Sequence, residues 1–400
     1  MSTHHYSVRL SESQISGDLS ELKDLNVFIK EDRVLDDEIR QAFPLNNYGD
    51  VKDKLLIFGV EELIKLFDVV DREKLDIPEK LSNIKYIGLS DDNQIILAFK
   101  DTEGSDEITS KGIYDFTYSF LNEVFQMGKF SKFCIKNGYK DLLRENIEQL
   151  LVKLGEVEKQ YRLLKIDEEY YLRGITSLRY RNYDNHLALY LSLLSIHSYA
   201  KENKKTFTIE TAHMTDSEIR VFFKQLDPVE IPDFGDLYLG VYVSNNEIGD
   251  KAFSLELRYS IVDANGNHFS GLNKLEDAIF YLNHSTGVKN SKEKIKNIFT
   301  LKERQDLLVN YITNIKNADK LSESVIYLLF KKLASSTQKL SSTTRSNANK
   351  LKNDKVINNT MNLIEIFDKV GQITKDLDEQ IVLERIYNEV ISELQSSSEN

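Results

Sequence analysis

The sequence predicts an α+β fold: a central antiparallel β-meander with one helix packed across it, a mixed N-terminal region and an all-helical C-terminal region. Three observations carry this prediction. Successive apolar, strand-like runs separated by short turns occupy the centre of the chain. One long run, NHLALYLSLLSIHSYAKEN at 185–203, repeats leucines at helical spacing. From about 288 onward the pattern is almost wholly helical, with no proline after Pro232. Sequential strands joined by short turns favour an antiparallel meander, which needs a helix or second layer to cover its apolar face.

Residues up to about 58 mix polar helical segments with turn signals at Pro44 and at Asn46-Asn47-Tyr48-Gly49. VEELIKLFDVVDREKL (60–75) places Leu63, Ile64, Phe67 and Val70 on one helical face. KYIGLSDDNQIILAFK (85–100) reads as a hairpin around Ser90-Asp91-Asp92-Asn93. From Ile113 to a stop near Gly155 the pattern is helical, and an aromatic stripe of Tyr114, Phe116, Phe120 and Phe125 is read as core. YRLLKID and YYLRGITS have strand character. Asn185 is the expected N-cap of the helix at 185–203. TFTIETAHM, EIRVFFKQ, DLYLGVYVSNNE and KAFSLELRYSIVDANGN are the meander, with turns at Pro228, Pro232, Asn245-Asn246 and Asn265-Gly266. The expected divisions are an acidic mixed region (1–155), a β-rich core (156–290) and a helical C-terminal region (291–400) that forms a bundle or an oligomerisation element.

Composition excludes some classes of function and limits others. No apolar run is long enough to cross a membrane. The start lacks the apolar core of a secretory signal, and a single cysteine makes no internal disulfide, so a cytoplasmic protein without a membrane partner is expected. Cys134, between Phe133 and Ile135, is read as a small buried hydrophobe. The net charge of −12 lies mostly in the first 150 residues, so nucleic acid would need a local basic patch, and the acidic region could meet a basic protein partner. Phosphate-loop, dinucleotide, nucleophile-elbow and HExxH motifs are absent, and the histidines are scattered. His186 and His197 stand about three turns apart on one helix, too far to share a metal. No cofactor and no metal are expected, and no catalytic residue is assigned.

Two cationic stretches remain. In RGITSLRYRNYDN (173–185), Arg173, Arg179 and Arg181 alternate with Tyr180 and Tyr183. Read as a strand, LRYRNY would put Arg179 and Arg181 on one face and Tyr180 on the other. Guanidinium groups suit phosphate and tyrosine suits base stacking. The simpler alternative pairs these arginines with nearby carboxylates and puts Tyr180 in the core. The second stretch, 331–355, holds seven Lys/Arg against one Asp among Ser, Thr and Asn. Lys331, Lys332, Arg345 and Lys350 there would contact phosphates, unless the segment is a solvated linker or the polar face of a helix.

The same residues carry a resemblance. RGITSLRYRNYDN is similar to a signature of the phage/plasmid-like domain family of mobile genetic elements, through Arg173, Ser177, Arg179-Tyr180 and Asp184-Asn185. Further on, Asn245, Glu247, Gly249 and Asn265-Gly266 resemble that family's central strand pair and the turn beyond it, and NHSTG (283–287) sits where a His-containing segment is common. Asn246 stands where the family usually has Ser, and a cysteine usual before the later Asn-Gly is missing from Ser260-Ile261-Val262. The resemblance covers about 160–290 and assigns no activity. It implies a bacterial host and a role in DNA processing or recombination. The leading expectation is a non-enzymatic, oligomeric protein that binds single-stranded nucleic acid. The alternatives are a structural or interaction component assembling through its C-terminal helices, and a metal-dependent nuclease using carboxylates near His213, His268 or His284.

Overall fold

A computed structural model describes residues 7–31, 33–99, 107–232, 234–248, 251–316, 323–353 and 363–398. The expected meander forms the middle of a ten-stranded sheet. Strands β10 (Phe207–Thr215), β11 (Glu218–Gln225), β13 (Gly235–Asn246), β14 (Phe253–Val262) and β15 (His268–Leu272) pair antiparallel in that order. Short β12 (Val229–Ile231) flanks β13, and β16 (Phe280–Leu282) flanks β14. Three strands unforeseen near the N-terminus extend the far edge. β1 (Ser7–Ser11) pairs antiparallel with β10, β3 (Lys54–Phe58) pairs parallel with it, and β2 (Leu19–Glu21) closes the order on β3. Strand alternation sends Leu237, Leu239, Val241 and Val243 of β13 into the core. Gly240 is needed there because a Cβ would lie 2.1 Å from the Phe223 carbonyl oxygen. Gly266 takes φ +82° in the Asn265-Gly266 turn, where the Asp263 carboxylate accepts from the backbone N–H groups of Asn265 and Asn267 at 2.9 Å.

Helix α6 (Asn185–Asn203) lies against this sheet and is buried on nearly every side. It is apolar all round because other elements cover the face it turns away from the sheet, among them residues 22–28 and 296–300. Some of its polar groups find partners, whereas Ser192 Oγ, His186 Nδ1 and His197 Nε2 are buried without one among the described residues. The Tyr190 hydroxyl donates to the Phe43 carbonyl at 2.8 Å, and His197 Nδ1 accepts from the Leu56 N–H at 3.2 Å. His186 meets Asp36 of α1 (Val34–Ala42) at 3.0 Å. The N-cap is Asp184, one residue ahead of the Asn185 expected, and Asn185 is the first helical residue.

A second, six-stranded sheet interrupts the first. Its order is β4 (Lys74–Lys80), β8 (Glu158–Ile166), β9 (Glu169–Thr176), β7 (Ile108–Gly112), β6 (Ile95–Phe99), β5 (Ile84–Leu89). Helices α3 (Phe116–Phe125), α4 (Gly128–Asn137) and α5 (Lys140–Lys153) cover it. Phe99, Phe116, Phe120, Leu143, Ile147, Tyr161 and Leu172 form a core separate from the main one. The aromatic stripe read as core belongs here, with Phe116, Phe120 and Phe125 buried, while Tyr114 is half-buried. Cys134 is buried here as well. The helix expected over 60–75 stops as α2 (Val60–Val70), because Lys74 already begins β4. The division expected near 155 therefore falls inside one unit. Strands β8 and β9 hydrogen-bond to β4 and β7, so residues 74–176 form an insert between two halves of the main core.

The C-terminal region is helical as expected, with α7 (Val288–Ile295), α8 (Leu301–Lys316), α9 (Glu323–Ser335), α10 (Ser342–Lys352), α11 (Leu363–Gly371) and α12 (Leu377–Ser398). These helices wrap the β15 edge. Phe269 meets Phe367 at 4.8 Å between ring centroids, and Phe367 stacks on Tyr387 at 4.4 Å. The start of α12 lies over the outer sheet face, where Asp378 pairs with Arg220 at 2.7 Å and Glu384 with Arg258 at 2.8 Å. Among the described residues, no helix is long and apolar enough to cross a membrane.

Candidate nucleic-acid interface

The stretch RGITSLRYRNYDN divides where β9 ends. Residues through Thr176 are strand; 177–184 form a turn and an irregular segment leading into α6. The strand alternation expected for LRYRNY is therefore absent. The chain leaves the second sheet at this point and must reorient to enter α6 over the first, so the strand cannot continue. Arg173, on β9, is 1% exposed, and Tyr183 is fully buried, its hydroxyl donating to the Thr286 carbonyl at 2.9 Å. Tyr180 is half-buried; its hydroxyl donates to the Glu247 carbonyl at 2.9 Å and its ring stacks on His284 at 4.4 Å. Arg181 pairs with Glu38 at 2.8 Å. Of these arginines and tyrosines, Arg179 alone is exposed. Arg173 and Tyr183 are thus closed to an external phosphate or base.

These residues belong to a buried ionic seam between the two sheets. Glu247, at the end of β13, accepts from Lys74 at 2.7 Å and from Arg173 at 2.6 Å, and its Oε1 also accepts the Asn185 N–H at 2.9 Å. Arg162 of β8 reaches Asp184 at 2.7 Å and Asp76 at 2.9 Å, and donates to the Glu247 carbonyl. Lys74 also reaches Asp71 at 3.3 Å, which Lys30 pairs from the other side. Asn245 donates to the Tyr183 carbonyl and to Asn185 Oδ1, both at 2.9 Å. Four cations (Lys30, Lys74, Arg162, Arg173) thus face four carboxylates (Asp71, Asp76, Asp184, Glu247), and Arg33 touches Asp184 from the solvent side at 3.4 Å. Burial by itself would push the Glu247 carboxyl up; Lys74, Arg173 and Arg162 override it and hold it well below the usual range. Burial pushes His284 below its ordinary value. The seam neutralises its own charges and fastens insert to main sheet. Its motif residues Asp184, Asn185, Asn245 and Glu247 are structural members of it.

The remaining motif positions lie elsewhere. Ser177 is exposed at the end of β9; Asn265 and Gly266 form the distant β14–β15 turn; Gly249 lies outside the described residues. The three histidines of the nuclease reading do not converge: His213 is near Ser7 at 3.0 Å, His268 near Asp368 at 3.2 Å, and His284 is in the seam. Among the described residues no group of three His, Cys, Asp or Glu side chains could hold a metal.

No protein-family model, curated protein or solved structure matches this chain. Its site is therefore read from its own geometry.

The second basic stretch is described through Asn353; Asp354 and Lys355 lie outside the described residues. Helix α10 is anchored at its start. Ser341 Oγ accepts the Thr344 N–H at 3.2 Å, and Glu379 accepts from the Ser341 N–H at 2.6 Å and from the Thr344 hydroxyl at 2.5 Å. Although burial opposes it, these donors and Thr374 hold the Glu379 carboxyl down at about 2. The basic side chains then separate. Lys332 turns inward to Glu389 at 2.9 Å and Glu393 at 2.8 Å. Arg345 is half-buried and donates to the Leu340 carbonyl at 3.3 Å. Lys331, Lys339, Lys350 and Lys352 are exposed, with no carboxylate partner among the described residues. Tyr327 stands between two of them, 58% exposed, with Lys331 Nζ 6.0 Å and Lys352 Nζ 5.6 Å from its ring centroid. Tyr327 and Lys331 share a face of α9 because they are four residues apart. Sequence reasoning missed Tyr327, which lies just outside the basic stretch. An exposed ring one turn before a Lys-Lys pair was the available signal.

Proposed function

We propose that this protein binds single-stranded nucleic acid, without chemistry on it, through the face shared by α9 and α10. The observation that carries this reading is the exposed Tyr327 ring held between Lys331 and Lys352, neither of which has a carboxylate partner among the described residues. Lysines supply attraction to the phosphate backbone, and an exposed ring supplies a sequence-tolerant stacking surface for a base. Lys339 and Lys350 are exposed nearby in sequence and add to the positive charge of this region. A net charge of −12 repels a polyanion elsewhere and confines the contact to such patches. Arg179, exposed on the turn after β9, is a further phosphate contact of the same kind. A setting in DNA processing on a mobile genetic element rests on the quoted motifs alone.

Assembly through the C-terminal helices has less support, because much of their apolar surface is already buried against the main sheet. The test is anisotropy of a labelled oligothymidylate at low salt. Binding should weaken steeply as salt rises, and Tyr327→Ala should cost about 1–3 kcal/mol. Absence of binding at low salt removes the reading.

A further inference from the structure

A second basic and aromatic surface lies on the insert, in the part of the chain that carries most of the negative charge. Residues 128–140 contain four lysines and no carboxylate. Lys129, Lys132 and Lys136 follow the helical period of α4, and Lys140 opens α5. All four are exposed and have no carboxylate partner among the described residues; Lys132 lies over the Tyr118 ring, its Nζ 3.9 Å from the centroid. Between them Phe133 is 54% exposed and Tyr139 52% exposed, their ring centroids 5.8 Å apart. The opposite side of α4 is fixed: Ser131 and Cys134 are buried, and Phe130 and Ile135 pack on the second core. Gly138, at φ +77°, turns the chain so that Tyr139 returns to Phe133.

Two large rings left about half exposed gain less from folding than buried ones, and the four lysines beside them repel one another. The combination is complementary to a polyanion with flat apolar faces. We infer that α4 and the start of α5 form a second contact for single-stranded nucleic acid, with the lysines on phosphates and Phe133 and Tyr139 stacking on bases. This rests on the proposed function and adds to it that bound strand contacts the insert as well as the C-terminal helices.

The full chain is titrated with labelled oligothymidylate, as wild type, Phe133→Ala, Lys129→Glu/Lys136→Glu and Tyr327→Ala, each checked for an unchanged melting transition. Phe133→Ala should weaken binding at least about fivefold. The double lysine variant should also flatten the slope of log K against log salt by about 1.4, from two lost phosphate contacts. Ultraviolet cross-linking to a bromodeoxyuridine-substituted strand should label peptide 128–140. If only Tyr327→Ala weakens binding, the inference fails and the proposed function stands. If wild type does not bind at all, both fail. If the lysine variant leaves oligonucleotide affinity intact but loses binding to phosphatidylserine vesicles, the surface is a lipid contact and the inference is overturned.

Discussion

The seam and the α9–α10 face are built from the same side chains and differ in where the countercharge lies. In the seam, Arg162, Arg173 and Lys74 meet Asp184, Glu247 and Asp71 within the protein, and the cations are withdrawn from water. On α9–α10, Lys331 and Lys352 lie over the Tyr327 ring and have no carboxylate partner among the described residues. A cluster of cations is thus a site only where its anions are missing from the same chain. Lys332 shows the boundary within one helix: next to Lys331 in sequence, it is turned a step around α9 and is neutralised by Glu389 and Glu393.

The sharpest way to break this contrast is to remove a seam carboxylate. Glu247→Ala strands Arg173 as a buried cation and leaves Lys74 with the longer Asp71 contact at 3.3 Å, and should cost about 3–5 kcal/mol by denaturant unfolding. A loss under about 1 kcal/mol would mean that the seam does not hold the sheets together. The exposed face should behave in the opposite way. Tyr327→Ala should leave the unfolding midpoint in place while weakening oligonucleotide binding by about 1–3 kcal/mol. Loss of stability there would make Tyr327 a packing residue.

The pH dependence separates the two regions further. Glu247 is held below its ordinary 4.5, so its stabilisation is complete above that pH and is lost as pH falls below it toward the lowered value. His284 is held below 6.5 by burial, so the folded state favours its neutral form, and stability begins to fall as pH drops below about 6.5. Acid unfolding should therefore begin near 6.5 and steepen below 4.5, and His284→Asn should diminish the first part. His197, also lowered by burial, contributes to the same part. The smallest effect belongs to Arg179→Ala, which should change stability by no more than about 0.5 kcal/mol, since its side chain is exposed. A larger loss would place Arg179 in the seam.

The meander, the apolar helix across it, the hairpin at 85–100 and the helical C-terminal region are legible in local residue patterns. Each is a local period of apolar residues closed by turn residues such as Asn93 at φ +62° and Gly266 at φ +82°, and such signals lie within a few residues of one another. Which sheet each strand joins depends on the folded arrangement. The strands YRLLKID and YYLRGITS look no different from those of the meander, yet they pair with β4 and β7, far back in the chain. The folded arrangement also decides the fate of the cations. Glu247 lies 74 residues from Arg173, and Asp76 lies 86 residues from Arg162. No local spacing announces a pairing over that distance, because an ion pair depends on where the backbone brings two charges together and on how much water is left between them.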